Sequence, residues 1–99
     1  DRPSPPQNVR VTSVSPSAIS LAWDEPENDG GSRITGYRIE KADASRRSFV
    51  SAGTSDTTSF KAERLNEGTE YLFKIFAEND IGSSEPAGLA EPVTAKHPF

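Results

Sequence analysis

The chain has 99 residues, 15 acidic and 11 basic, with a formal net charge of −4, 32% hydrophobic residues and no cysteine. One domain fits in that length and a second core does not, while the missing cysteines exclude a disulfide scaffold, a thiolate metal site and a cysteine nucleophile. The acidic balance, with Arg46-Arg47 as the one basic pair, excludes the positive stripe that nucleic acid needs, and no apolar run approaches the roughly 20 residues that span a bilayer.

Apolar residues recur with a period of two, the mark of half-buried antiparallel strands. The lead Asp1-Arg2-Pro3-Ser4-Pro5-Pro6 is not a signal peptide. Its prolines stiffen the approach to a first strand over 7–13 and keep that strand from extending at its edge. In this strand Val9 and Val11 share a face. After Pro16-Ser17, a strand over 18–23 turns Ile19, Leu21 and Trp23 to one side. Asn28-Asp29-Gly30-Gly31 is a turn-former, supplying positive φ and local side-chain hydrogen bonds. A strand over 34–42 follows, with Tyr37 and Ile39 inward, then Asp43-Ala44-Ser45 as a turn and a strand over 48–55. The strand over 58–62 buries Phe60 and Ala62, and Leu65 joins them. Glu63 to Tyr71 is the best helical stretch, yet Gly68 and the β-branched Thr69 interrupt it. The longest alternation runs over 70–79, with Tyr71, Phe73, Ile75 and Ala77 inward, and a last strand over 90–96 contributes Val93. Short strands at even spacing with turn signals between them predict an all-β, seven-stranded antiparallel Greek-key sandwich.

Three features narrow the class. Trp23 closes the second strand, where one large ring can fill the space between two sheets. Leu65-Asn66-Glu67-Gly68-Thr69-Glu70-Tyr71 has the layout of a tyrosine corner, in which a phenol at a strand start bonds to backbone a few residues upstream. Gly36-Tyr37-Arg38-Ile39-Glu40 sits between them, behind the proline-rich lead. In this order the motifs resemble an immunoglobulin-like fibronectin type III domain over essentially the whole chain, with Trp23, Leu65 and Tyr71 in structural roles. The stretches Asp29–Tyr37, Ala77–Gly82 and Pro92–Phe99 are similar to modules of the titin and twitchin group of giant muscle proteins. The chain departs from that group in carrying Phe49 where a second Trp is frequent.

The resemblance implies a single module over 1–99, with 1–6 and 96–99 as linkers to neighbouring modules. It implies a non-catalytic structural and protein-interaction role in a tandem array of a giant sarcomeric scaffold, cytoplasmic and in places near a kinase domain. Its partners would be the neighbouring modules and thick-filament proteins, and the isolated domain would be a monomer without cofactor. The alternative is an extracellular adhesion or receptor module of the same fold. The absence of an Asn-x-Ser/Thr acceptor and of Arg-Gly-Asp favours the first reading.

Catalytic and ligand motifs weigh little against simpler readings. Asp24, Glu25, Glu27 and Asp29 surround Pro26, but the spacing matches no EF-hand, so a solvated acidic turn is expected. Gly30-Gly31 leads into a strand rather than opening a helix, unlike a phosphate loop. His97 stands near the chain end without a nucleophile, no serine lies in a Gly-x-Ser-x-Gly context, and Glu67 and Glu70 flank a surface turn. No catalytic, cofactor or metal residue is therefore assigned.

Surfaces are more informative. With Tyr71, Phe73 and Ile75 inward, Leu72, Lys74 and Phe76 face outward beside Arg38 and Glu40 of the neighbouring strand. Long Arg and Lys stems covering the two apolar side chains explain this face most simply; a protein contact formed by Arg38, Glu40, Leu72, Lys74 and Phe76 is the competing reading. The loops predict a second feature. The end where the chain arrives collects Asp24, Glu25, Glu27, Asp29 and Asp80, whereas Arg46, Arg47 and Lys96 make the other end relatively basic. Opposite charges could then meet at the seam between tandem modules.

Overall fold

The computed structural model describes residues 2–89 and 91–97. Eight strands run in the order β1 (Gln7–Val14), β2 (Ile19–Asp24), β3 (Gly36–Asp43), β4 (Val50–Ser55), β5 (Ser59–Ala62), β6 (Glu70–Glu78), β7 (Ala87–Gly88) and β8 (Val93–Thr94). No helix forms among the described residues. One sheet is β1-β2-β5; the other is β4-β3-β6-β7, with β8 also paired to β6, and every pairing is antiparallel. Strand order jumps between the sheets at β2–β3, β4–β5 and β5–β6, the crossovers of a Greek-key sandwich.

The strand count is eight rather than seven because the last segment is broken. Lys74 pairs with Gly88 and Tyr71 with Val93, so a longer stretch of the last segment faces a shorter one of β6. Pro92 within this stretch has no N–H to give a ladder. The start of the expected strand over 90–96, Ala90, lies outside the described residues, as do Asp1, Pro98 and Phe99 of the expected linkers.

Alternation produces the core. Ile19, Leu21, Trp23, Tyr37, Ile39, Ala62, Leu65, Tyr71, Phe73, Ile75, Ala77 and Ala95 form the buried cluster, and Val9, Val11, Val14, Ile34, Ala52, Phe60, Leu89 and Val93 pack on it half-buried. Removing these side chains from water at about 25 cal/mol per Å² is the main force closing the sandwich. Trp23 is 1% exposed and meets the Tyr37 ring edge-on at a centroid distance of 5.3 Å, a favoured geometry for two quadrupoles. Its indole Nε1 has no hydrogen-bond partner among the described residues.

Strict alternation fails in β3. After Ile39 the register against β4 slips, and the next fully buried residue is Ala42 rather than Lys41. Gly53 opposes Ile39 there with φ 144°, a conformation open to glycine, and an added Cβ would sit 2.8 Å from the Phe60 ring.

Candidate functional site

The chain offers three surfaces: a trailing end, a leading end and the outer face of the larger sheet. At the trailing end the backbone amide of Asn66 donates to the Tyr71 hydroxyl at 2.8 Å. Around this bond Leu65 N–H reaches the Ser17 carbonyl (2.9 Å), Gly68 N–H the Ala95 carbonyl (2.7 Å) and Ala95 N–H the Thr69 carbonyl (3.1 Å). Gly68 makes the turn with φ 84°. Leu65 and Tyr71 are buried; the phenol closes the β5–β6 crossover on itself, while backbone bonds of Leu65, Gly68 and Thr69 tie it to the β1–β2 turn and to the departing chain. His97 lies exposed with its Nε2 3.9 Å from Glu67, an arrangement without a nucleophile.

At the leading end the lead is tied into the loops. Ser4 N–H donates to the Asn28 carbonyl (2.8 Å) and Asn28 N–H returns a bond to the Ser4 hydroxyl (2.9 Å). Asn28 Oδ1 accepts from Gly30 N–H and Asp29 Oδ1 from Gly31 N–H, two side-chain turns that shape the β2–β3 loop. The buried Asn79 then joins the β6–β7 loop to it: its Nδ2 donates to the Asp29 carbonyl at 2.7 Å, and its Oδ1 accepts from Ile81 and Gly82 N–H. Buried Ser84 accepts from Ala77 N–H. Period-two alternation ends the strand at Asn79 and assigns neither Asn79 nor Ser84 this buried role. The clue is a polar residue at the end of an alternating strand, three residues before Gly82.

The acidic residues around Pro26 divide between an ion pair and one groove. Asp24 pairs with Arg10 at 3.3 Å, while Glu25, Glu27 and Asp29 line an open groove between the β2–β3 loop and the β4–β5 turn. Among the described residues, no three His, Cys, Asp or Glu side chains gather as a metal ion would require. The trailing end is of mixed charge: exposed Arg46, Arg47, Arg64 and Lys96 share it with Glu63 and Glu67.

Arg38, Glu40, Leu72, Lys74 and Phe76 stand on the outer face of the larger sheet, all half-buried. Arg38 holds Glu40 at 2.8 Å and Glu78 at 3.5 Å while its guanidinium lies 4.2 Å from the Phe76 ring centroid. Lys74 lies 4.1 Å from the Phe49 ring. Each cation thus shields an aromatic ring, a contact of about 0.5–1 kcal/mol at such exposure. Leu72 and Phe76, expected to face outward, are half-buried there, and the Arg38 guanidinium is part of the cover over the Phe76 ring.

Two titrating groups stand out. Burial pushes the Tyr37 phenol above its usual value, and the charge of Glu25 adds to this. Hydrogen bonds from the Ser45 hydroxyl (2.7 Å) and N–H (2.9 Å) hold the Asp43 carboxyl below the usual range.

Residues 4–93 match the fibronectin type III domain family. Over 92 residues the chain is 40% identical to human slow-type myosin-binding protein C, covering 92% of this chain and 8% of that protein. With Drosophila melanogaster titin it shares 36% identity over 96 residues, 95% of this chain and a share of that protein that rounds to 0%. The chain therefore spans 8% or less of either relative. The twitchin kinase region of C. elegans, a structure comprising Fn, kinase and Ig units, superposes with a TM-score of 0.92 at 35% identity, over 99% of this chain and 17% of that one. With the sandwich, the Tyr71–Asn66 bond and a family match over 4–93 in agreement, the chain belongs to the fibronectin type III family.

Proposed function

We propose that this domain is a non-catalytic link in a tandem array of a giant muscle scaffold protein, cytoplasmic and sarcomeric. The observation that carries this reading is the placement of the two chain ends. The lead is bonded to Asn28 beside the Glu78 end of β6, whereas the departing chain is bonded at Gly68 and Thr69 beside its Glu70 end. The long axis of the domain measures 43 Å, so force or spacing passes in line from one neighbour to the next. Similarity over nearly the whole chain to modules of myosin-binding protein C, titin and the twitchin kinase region supports the sarcomeric setting. A position next to a kinase is part of the same proposal.

Antibodies against this domain test the setting. Localisation of the parent protein in register with the thick filament is expected; recovery from the cell surface or medium would overturn it in favour of an adhesion or receptor module. Thick-filament proteins are the proposed lateral partners, and Arg38, Glu40, Leu72, Lys74 and Phe76 the surface offered to them. A pull-down with the wild-type chain and Phe76→Ala decides that point. Binding lost in the variant assigns the face to a partner, and unchanged binding leaves it as cover for the sheet.

A further inference from the structure

The groove between the β2–β3 loop and the β4–β5 turn has a volume of about 720 Å³, and Glu25, Glu27, Asp29, Arg33, Tyr37 and Asp56 line it. Four of these six are carboxylates, and none of the four forms an ion pair among the described residues. A cluster of acids alone is only a solvated surface. What distinguishes this one is Tyr37, which is 4% exposed and yet has no hydrogen bond to its hydroxyl from any described residue. That oxygen is not sealed in the core, since the indole nitrogen of Trp23 is the only buried side-chain polar atom without a partner among the described residues. The ring is held edge-on by Trp23 while the hydroxyl reaches the groove, and a smaller hollow lined by Ser55, Asp56 and Glu78 continues past it.

A phenol oxygen that opens to a groove lined by carboxylates offers acceptors matched to a ligand rich in donors and positive in charge. Guanidinium fits better than ammonium. It is planar, weakly hydrated, and offers five N–H groups that serve a carboxylate and a phenol together, whereas ammonium is a compact, strongly hydrated charge. The lead is not available as the occupant, because Ser4 is already bonded to Asn28 on the loop.

We infer that this groove is an arginine-accepting site, in which a basic segment of a partner protein seats one guanidinium among Glu25, Asp56 and the Tyr37 hydroxyl. The raised pKa of the phenol keeps its proton, and so its neutral acceptor oxygen, throughout the physiological range. This site is separate from the outer sheet face and does not depend on where the parent protein resides.

Amide NMR of the whole 99-residue chain tests it, using acetyl-Gly-Arg-Gly-amide and its lysine and citrulline counterparts as probes. Saturable shifts are expected at Gly36, Tyr37, Thr57 and Thr58, which line the groove. Affinity for the arginine probe should exceed that for lysine by about fivefold, with no binding of uncharged citrulline. Glu25→Gln combined with Asp56→Asn should weaken arginine binding about tenfold or more. Tyr37→Phe, which keeps the ring in place, should weaken it about threefold or more. Shifts that never saturate, equal response to arginine and lysine, or full affinity in Tyr37→Phe would each overturn the assignment.

Discussion

The leading and trailing ends of the sandwich each hold a nearly buried tyrosine, 4% exposed at Tyr37 and 6% at Tyr71. The Tyr71 hydroxyl takes the Asn66 amide and locks the β5–β6 crossover. The Tyr37 hydroxyl takes nothing from the described residues and lines a groove. Equal burial therefore does not mean equal duty. The ring of each residue stabilises through the apolar area it hides, and the oxygen stabilises only through the partner it finds. One end spends its phenol on architecture, and the other keeps it for contact.

Trp23→Ala is the most damaging way to break this contrast, since the indole fills the centre and orients the Tyr37 ring. A loss of about 3–5 kcal/mol is expected in urea unfolding, from lost transfer energy and a residual cavity. A domain of this size has about 5–15 kcal/mol to lose, so the variant should unfold at markedly lower urea. A loss below about 1 kcal/mol would mean that the neighbouring side chains collapse into the space.

The two hydroxyls can be compared directly by Tyr→Phe exchange. Tyr71→Phe removes the acceptor of the Asn66 amide and should cost about 1 kcal/mol. Tyr37→Phe removes an oxygen without a partner among the described residues and should stay within about 0.5 kcal/mol of wild type. Equal losses in the two variants would erase the distinction.

Much of the first element of this contrast was legible in the sequence, and little of the second. Period-two alternation placed Ile19, Leu21, Trp23, Ile39, Phe73 and Ile75 inside because a strand shows alternate faces to core and solvent. The Tyr71 corner was legible because its partner lies five residues upstream. Asn79 bonds the Asp29 carbonyl across 50 residues, and no local pattern encodes a contact so distant. The groove is formed by loops that only the folded sheets bring together, so Tyr37 read simply as core. The bulge after Ile39 and the broken last strand were hidden for a further reason. Each depends on how a partner strand pairs, which alternation along one strand does not reveal.

Alkaline titration sharpens the contrast from the side of Tyr37. Burial and then Glu25 raise its folded-state pKa above the value of about 10 that a free phenol has. The folded state therefore holds the proton after the unfolded state has released it. Stability from this source is intact below about pH 10 and is lost as pH rises through the folded value. Unfolding monitored against pH should show this loss in wild type and not in Tyr37→Phe. Glu25→Gln should lower the phenol transition seen by ultraviolet absorbance, since it removes the second of the two causes. A phenol transition unmoved by that exchange would separate Glu25 from the groove.

The smallest expected effect lies at the trailing end, where Asp43 accepts both bonds from Ser45 at the β3–β4 turn. Its carboxyl is depressed chiefly by the Ser45 hydroxyl, then by the Ser45 N–H. The sign is opposite to that of Tyr37. A depressed folded-state value means that the charged form is favoured by folding, so the stabilisation is present above the unfolded value of about 3.9 and fades as pH falls through the folded one. Ser45→Ala removes the larger cause, and carboxyl NMR should place the Asp43 midpoint closer to the ordinary range. The pH-dependent difference in stability between variant and wild type should then close once both carboxyls are protonated. The turn lies at the surface with Asp43 half-buried, which keeps the gain slight because water competes for the charge that the turn holds. A midpoint unchanged in Ser45→Ala would assign the shift to the N–H and the nearby Arg46 instead, and would leave the hydroxyl as a neutral part of the turn.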